Sequence, residues 1–211
     1  MSSHGLIVNV DNCIGCMACV VACKQENLVA PDIQWNRIGR VENVAKRVIG
    51  YFRVGCMHCE DAPCLKTCPV NAIAKGPGGE VSIDAAKCIG CKQCLAACPY
   101  GAPRFNDTGK TSYWGNYTPP PEAFKTAHQT RPLGRAERCT LCTHRTSQGQ
   151  VPKCVDVCPT KTLVFVDYDK PSDDAKPLLA KAQAMSAAKA TRPRVRYVSS
   201  YFSFGEMEIK A

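Results

Sequence analysis

The chain has 211 residues, including 16 Cys, 15 Gly and 15 Pro, with 45% hydrophobic and only 7% aromatic residues. This length suits one domain or two small ones and excludes a large multidomain enzyme. No stretch approaches the roughly 18 consecutive apolar residues that a membrane-spanning helix needs, so no direct membrane span is expected. Lysine and arginine exceed aspartate and glutamate by 27 − 18 = 9, which taken alone suits an anionic partner such as nucleic acid.

In chain order, residues 6–10 read as a strand that leaves no room for a charged and then apolar leader. The first cysteine group follows at Cys13, Cys16, Cys19 and Cys23. Residues 31–50 read as a link to the second group, with Trp35 packed inside. That group is Cys56, Cys59, Cys64 and Cys68, followed by Pro69 and a path towards a strand. Val81-Ser-Ile-Asp-Ala-Ala-Lys-Cys-Ile-Gly-Cys then repeats Leu6-Ile-Val-Asn-Val-Asp-Asn-Cys-Ile-Gly-Cys, a short strand leading into the third group at Cys88, Cys91, Cys94 and Cys98. Residues 107–137, with Pro119-Pro120-Pro121, read as an irregular insertion, and a loop of that length suits partner contact better than a spacer. The fourth group is Cys139, Cys142, Cys154 and Cys158, again leading to a strand. Beyond Asp169, Ser172 resembles a helix start, residues 176–190 are rich in Ala, Lys and Leu, and residues 192–201 are β-prone.

Four groups of four leave no cysteine over. Disulfide scaffolds spread their cysteines so that bridges close loops in short secreted chains, whereas here most stand two or three residues apart. Such spacing suits a metal gripped by one turn of chain, either zinc or iron-sulfur. The first and third groups follow the C-x2-C-x2-C-x3-C run of bacterial ferredoxins, in which three close thiolates hold one cluster and the fourth ligates its neighbour. The second and fourth stretch the gap before the third ligand. Gly15 and Gly90 let the backbone come close to an inorganic core, with N–H groups free to point at sulfur. Pro69, Pro99 and Pro159 direct the chain away after the remote ligand, where the first group has Lys24.

Zinc competes for any one group taken alone, but four linked groups without paired histidines at zinc-finger spacing favour iron-sulfur. Sixteen thiolates then serve four [4Fe-4S] clusters. Groups two and three, about 30 residues apart, exchange fourth ligands, and groups one and four do the same. Cluster A is expected on Cys13, Cys16, Cys19 and Cys158, and cluster B on Cys23, Cys139, Cys142 and Cys154. Cluster C falls on Cys56, Cys59, Cys64 and Cys98, and cluster D on Cys68, Cys88, Cys91 and Cys94.

The expected fold is α+β, two nested bacterial-ferredoxin-like halves with an irregular insertion and a C-terminal extension. The four-cluster domain covers residues 1–169. One cluster pair comes from 1–50 plus 135–169 and the other from 51–106; the insertion is 107–137, and residues 170–211 pack on the core or a partner. Oxidised clusters with four thiolates carry roughly −2 each, about −8 together, so the loaded chain nears +1 and nucleic acid loses its case. Lys92 lies among the ligands of the third group, as a potential tuner or a solvated side chain. His58 is not needed as a ligand, and serves as a hydrogen-bond donor or faces a partner. His4, His128 and His144 lack a constellation. No nucleophile elbow, phosphate loop or paired catalytic carboxylates are present, so the chain is expected to conduct and not to catalyse.

Cys56-Met-His-Cys-Glu-Asp-Ala-Pro-Cys-Leu-Lys-Thr-Cys-Pro, Cys94-Leu-Ala-Ala-Cys-Pro-Tyr-Gly-Ala-Pro and Arg138-Cys-Thr-Leu-Cys-Thr-His-Arg resemble segments of the iron-sulfur subunits of molybdopterin oxidoreductases of the dimethyl sulfoxide reductase family. The likeness covers residues 5–170. The tail, with Pro193-Arg-Val-Arg-Tyr, is similar to that of the arsenate, polysulfide and thiosulfate reductase subunits. The resemblance implies an electron-transfer subunit between a large catalytic subunit, carrying molybdenum or tungsten with two pterins, and a quinone-linked membrane anchor or another redox protein. It implies that cluster A faces the catalytic subunit and that the pair from groups two and three faces the other partner. Some relatives lack one ligand of the third group and hold a three-iron cluster; here Cys88, Cys91 and Cys94 are all present. The resemblance also implies a periplasmic location by co-export with a partner bearing a twin-arginine signal, or else a cytoplasmic one. Two alternatives stand: a polyferredoxin-type subunit of a hydrogenase or formate dehydrogenase complex, and a zinc-stabilised binding module.

Overall fold

In the computed structural model the described residues are 3–30, 32–107, 132–185, 190–205 and 207. A strand leads into each cysteine group, another leaves it, and the strands pair antiparallel across the gaps between groups. β1 (His4–Asn9) reaches the first group through a 3-10 turn at Val10–Asn12. β2 (Asn36–Asn43) leaves that group and pairs with β3 (Val48–Gly55), which leads into the second. β4 (Ile73–Lys75) pairs with β5 (Val81–Ile83), and β6 (Arg104–Asn106) with β7 (Arg135–Glu137), joining the second group to the third and the third to the fourth. β8 (Leu163–Asp167) leaves the fourth group and returns to β1 with Val8 opposite Leu163. The pairing therefore closes on itself and brings the first and last groups together.

The tail is part of this sheet. β10 (Val195–Val198) runs parallel to β1, with β9 (Gln183–Ala184) beyond it, in the order β8-β1-β10-β9. As an inner strand covered on both faces, β1 needs an unbroken apolar run, and Leu6, Ile7 and Val8 are all fully buried. Alternation along the strand sends Leu6 and Val8 into the main core with Phe52, Tyr197 and Phe204, while Ile7 meets Val166, Ala175 and Val198.

The helices are short, for a covalent reason. The residue before proline is driven out of helical conformation. Thus α2 (Pro63–Lys66), α3 (Gln93–Ala97) and α5 (Lys153–Asp156) stop just before Cys68-Pro69, Cys98-Pro99 and Cys158-Pro159. With Lys24 in place of proline, α1 (Ala18–Glu26) continues to nine residues. Lys24 Nζ then donates to the Ala30 and Ile33 carbonyls at 2.9 and 2.7 Å, holding the turn that follows. α4 (Thr143–Thr146) follows Cys142. α1 packs on α5, and α2 on α3.

Three expectations change. Residues 31–50 are more than a link: Trp35 is buried as expected, but 36–43 and 48–55 form the longest hairpin, and β3 crosses the boundary drawn at 50/51. After the helix start read at Ser172, residues 176–185 do not continue as one helix. α6 (Lys176–Leu179) is a single turn starting on Lys176-Pro177, after which the chain extends into β9. Most of the expected insertion at 107–137 lies outside the described residues, but its last three residues are β7. Among the described residues no helix is long and apolar enough to cross a membrane.

Candidate metal centres

All four C-x2-C loops share one backbone feature. The residue before the second cysteine is left-handed: Gly15 at φ 70°, His58 at 45°, Gly90 at 75° and Leu141 at 56°. This turns its N–H back on the first cysteine, so His58 N–H and Leu141 N–H each lie 3.4 Å from Sγ of Cys56 and Cys139, and Gly15 N–H bonds Cys13. Glycine accepts the conformation freely. At Gly90 it is required twice over, since a Cβ there would stand 2.4 Å from the Gly134 carbonyl oxygen. His58 and Leu141 adopt the same turn without that freedom, which motif reading alone did not reveal. On the far side of the cysteines, Ala72 N–H and Ala102 N–H lie 3.3 and 3.5 Å from Sγ of Cys68 and Cys98.

These turns gather the thiols around small cavities. Cys13, Cys16, Cys19 and Cys158 line one. Cys23, Cys139, Cys142 and Cys154 line a second, and Cys68, Cys88, Cys91 and Cys94 a third. Each hollow is lined by four thiols, which suits the same guest in each. Cys59 and Cys64 share a buried cluster against which Cys98 packs, and Cys98 packs also on the cluster that holds Cys56, so the remaining four cysteines stand together.

The four sets have an order. Arg53 lines both the Cys13 and the Cys139 hollows, Cys56 packs in one buried cluster with Cys23 and Cys139, and α2, bearing Cys64, packs on α3, bearing Cys94. The sets therefore follow one another from the Cys13 set through the Cys139 and Cys56 sets to the Cys88 set. Burial agrees with that sequence: only the end sets contain exposed cysteines, Cys16 and Cys91, whereas of the eight inner cysteines all but the half-buried Cys98 are buried.

Buried donors converge on the inner sulfurs. Arg53 Nη2 is 3.5 Å from Cys139 Sγ, and Arg138 Nη1 is 3.0 Å from Cys64 Sγ. Asn27 Nδ2 lies 3.6 Å from Cys23 Sγ and 3.8 Å from Cys142 Sγ. His58 is fully buried; its Nδ1 accepts the Val81 N–H at 3.0 Å, which leaves the proton on Nε2, directed at Cys139. Burial pushes the imidazole below its ordinary value. His58 thus takes the hydrogen-bonding role and not the partner-facing one. Arg53, Arg138 and Asn27 were missed by motif reading; the only signal was an arginine inside the apolar run Tyr51-Phe52-Arg53-Val54 and another next to Cys139.

Burial pushes the thiols of Cys19 and Cys94 up to about 11 and those of Cys59 and Cys154 to about 12. At Cys139 burial acts the same way, but the His58 hydrogen bond and the Arg53 charge outweigh it and bring the thiol to about 7. Metal ligation needs deprotonated thiols, so a cationic guest among them reverses the burial effect.

An iron-sulfur cluster fits this chemistry. Arg53 Nε and Nη1 and Arg138 Nη2 are buried without a hydrogen-bond partner, and a cluster brings the sulfur acceptors that such donors need. Among the described residues no group of three or more His, Cys, Asp or Glu is drawn tightly enough to hold a metal ion. Each thiolate of a cubane binds its own iron, so its ligands stand wider apart than those of one ion.

The other singled-out residues lie elsewhere. Lys92 lines the Cys88 cavity, with Nζ over the Phe105 ring at 4.1 Å and 3.8 Å from Asp107 Oδ2. His4 packs against the Phe165 ring, and His144 Nε2 pairs with Glu26 at 2.9 Å. His128 is outside the described residues.

Comparison with known proteins agrees with this site. Residues 48–113 and 121–168 match one 4Fe-4S dicluster domain family, and residues 12–72 match another. The arsenate respiratory reductase iron-sulfur subunit of Shewanella sp. is 34% identical, over 93% of this chain and 96% of its own. A subunit of the selenate reductase of Mesobacillus selenatarsenatis is 32% identical, over 92% of this chain and 71% of its own. One polypeptide of the anaerobic dimethyl sulfoxide reductase of Escherichia coli is 30% identical, over 93% of this chain and 85% of its own.

Proposed function

The chain belongs to the family of iron-sulfur subunits of molybdopterin oxidoreductases, and on that premise we propose that it relays electrons through four [4Fe-4S] clusters between a large molybdenum or tungsten bis-pterin subunit and a membrane anchor or other redox protein. It is a non-catalytic, electron-transfer subunit. When bound, the clusters supply one-electron carriers in a row.

The observation that carries the reading is the succession of four thiol sets, with an exposed cysteine only in the set at each end, Cys16 and Cys91. We assign the clusters to Cys13, Cys16, Cys19 and Cys158; to Cys23, Cys139, Cys142 and Cys154; to Cys56, Cys59, Cys64 and Cys98; and to Cys68, Cys88, Cys91 and Cys94. The N–H donors at Gly15, His58, Leu141, Ala72 and Ala102 fix sulfur positions and favour the charged ligands. The tail closes the inner part: Thr191 bonds Cys59, and the Arg192 and Thr191 carbonyls accept from Glu60 N–H and Asp61 N–H. Two nested ferredoxin-like halves follow, with α1 against α5 and α2 against α3.

At the ends, exposed apolar side chains accompany the exposed thiols. Ile14 and Met17 line the hollow of Cys16, and Ile89 that of Cys91. Such side chains suit partners that exclude water around a transferring centre. By family likeness the Cys16 end faces the catalytic subunit and the Cys91 end the second partner.

Anaerobic purification of the tagged chain from its own cells, followed by gel filtration and metal analysis, tests the reading. A large polypeptide containing molybdenum or tungsten travels with the chain if it holds. Iron-loaded chain that elutes alone, or with a hydrogenase, would favour the polyferredoxin alternative.

A further inference from the structure

Arg53 has an unusual position. Its side chain is 1% exposed, and it lines both the Cys13–Cys16–Cys19–Cys158 cavity and the Cys23–Cys139–Cys142–Cys154 cavity. Nη2 faces Cys139 Sγ at 3.5 Å, while Nε and Nη1 have no hydrogen-bond partner. Burial opposes the guanidinium charge, and the Cys139 sulfur is the acceptor it faces. The fold makes room for the group. A Cβ at Gly55 would stand 2.9 Å from Arg53 Nη2, and the Arg53 carbonyl accepts the Tyr197 hydroxyl at 3.0 Å, which ties its strand to the tail.

A buried, unpaired cation is costly unless anions adjoin it. Resting on the cluster assignment above, we propose that Arg53 is a shared fixed cation that raises the reduction potentials of the two clusters on either side of it and lessens the repulsion between them when both are reduced. Each reduction adds one negative charge on either side of the guanidinium, in surroundings where charge interactions are poorly screened. The planar fork presents donors in two directions, which a lysine ammonium on its flexible stem does not reproduce. Arg138 gives an internal comparison, because it reaches Cys64 of a different set.

The test is a mediated redox titration, followed by electron paramagnetic resonance, of full-length chain purified anaerobically with its clusters. Signals are assigned by their loss in Cys16→Ser and Cys142→Ser, and iron is counted for every variant. In Arg53→Met and Arg53→Gln the two adjoining clusters should titrate lower, the reduced-to-oxidised ratio at fixed potential falling at least tenfold, or 59 mV for one electron. The other two clusters should stay in place, and Arg53→Lys should recover part of the shift. Full iron with unmoved potentials, or an equal shift of all four clusters, would overturn the proposal. So would loss of the two adjoining clusters in all three variants, lysine included, because that assigns Arg53 to assembly alone. A wild-type chain without clusters fails the underlying assignment instead.

Discussion

Arg138 Nη1 donates to Cys64 Sγ at 3.0 Å across 74 residues of chain. The bond ties the start of the fourth cysteine group to the third ligand of the second, and Arg138 Nε donates to the Val81 carbonyl at 3.2 Å on the way to the third. One buried guanidinium therefore holds three groups in register.

Arg138→Met should lower stability and spare the ends of the row. Losing a charge-assisted bond costs about 1.5–3 kcal/mol, and the Val81 carbonyl loses a donor as well. Thermal denaturation of the loaded chain reads the loss. Its resonance spectrum should show the Cys64 cluster displaced to lower potential and the Cys16 cluster untouched; an unchanged melting temperature would contradict this.

Cys23→Ser should damage a cluster whose other ligands lie more than a hundred residues further on. Cys23 lines the cavity of Cys139, Cys142 and Cys154, and its nearest charge neighbours are Cys139 and Cys154. The signal lost in Cys142→Ser should also be lost in Cys23→Ser, with the Cys16 signal retained. Loss of the Cys16 signal alone would refute the ligand exchange between the first and fourth groups.

Two glycines with the same φ of +75° separate strain from crowding. An alanine Cβ at Gly149 meets nothing within 4 Å, whereas at Gly90 it meets the Gly134 carbonyl oxygen. Gly149→Ala should cost about 1–2 kcal/mol for the left-handed backbone. Gly90→Ala adds about 1–3 kcal/mol of overpacking and should lower iron retention. Parallel melts and iron assays of the two variants check the difference.

Acid should release the tail before the core. At Asp11 burial raises the carboxyl, but the Ser199 hydroxyl and Ser200 N–H outweigh it and hold it below the ordinary 3.8. A depressed folded value means that the stabilisation is present above the unfolded value and fades as pH falls through the folded one. Hydrogen exchange at residues 199–202 should therefore rise below about pH 4 while β1 stays protected. Asp11→Asn should show the same release at neutral pH; protection that is independent of pH would argue against the link.

The importance of the cysteines was legible because thiolate spacing is a direct chemical constraint, and the proline after three remote ligands announced where helices end. The β2–β3 hairpin was not legible: its turn at Val44–Arg47 carries no glycine or proline and is closed by Arg47 at φ 54°. The single turn at Lys176–Leu179 was obscured by a helix-forming composition that the pairing of β9 with β10 overrides. Arg53 and Arg138 were illegible for a different reason. A charged residue gains meaning as a cluster neighbour only once strands from distant segments enclose it, and no local motif records that.

The most direct measurement of the central claim is the iron, acid-labile sulfide and zinc content of the anaerobically purified chain. Four clusters predict about sixteen iron and sixteen sulfide per chain, with a brown colour that dithionite bleaches. About four zinc and no sulfide would contradict the account.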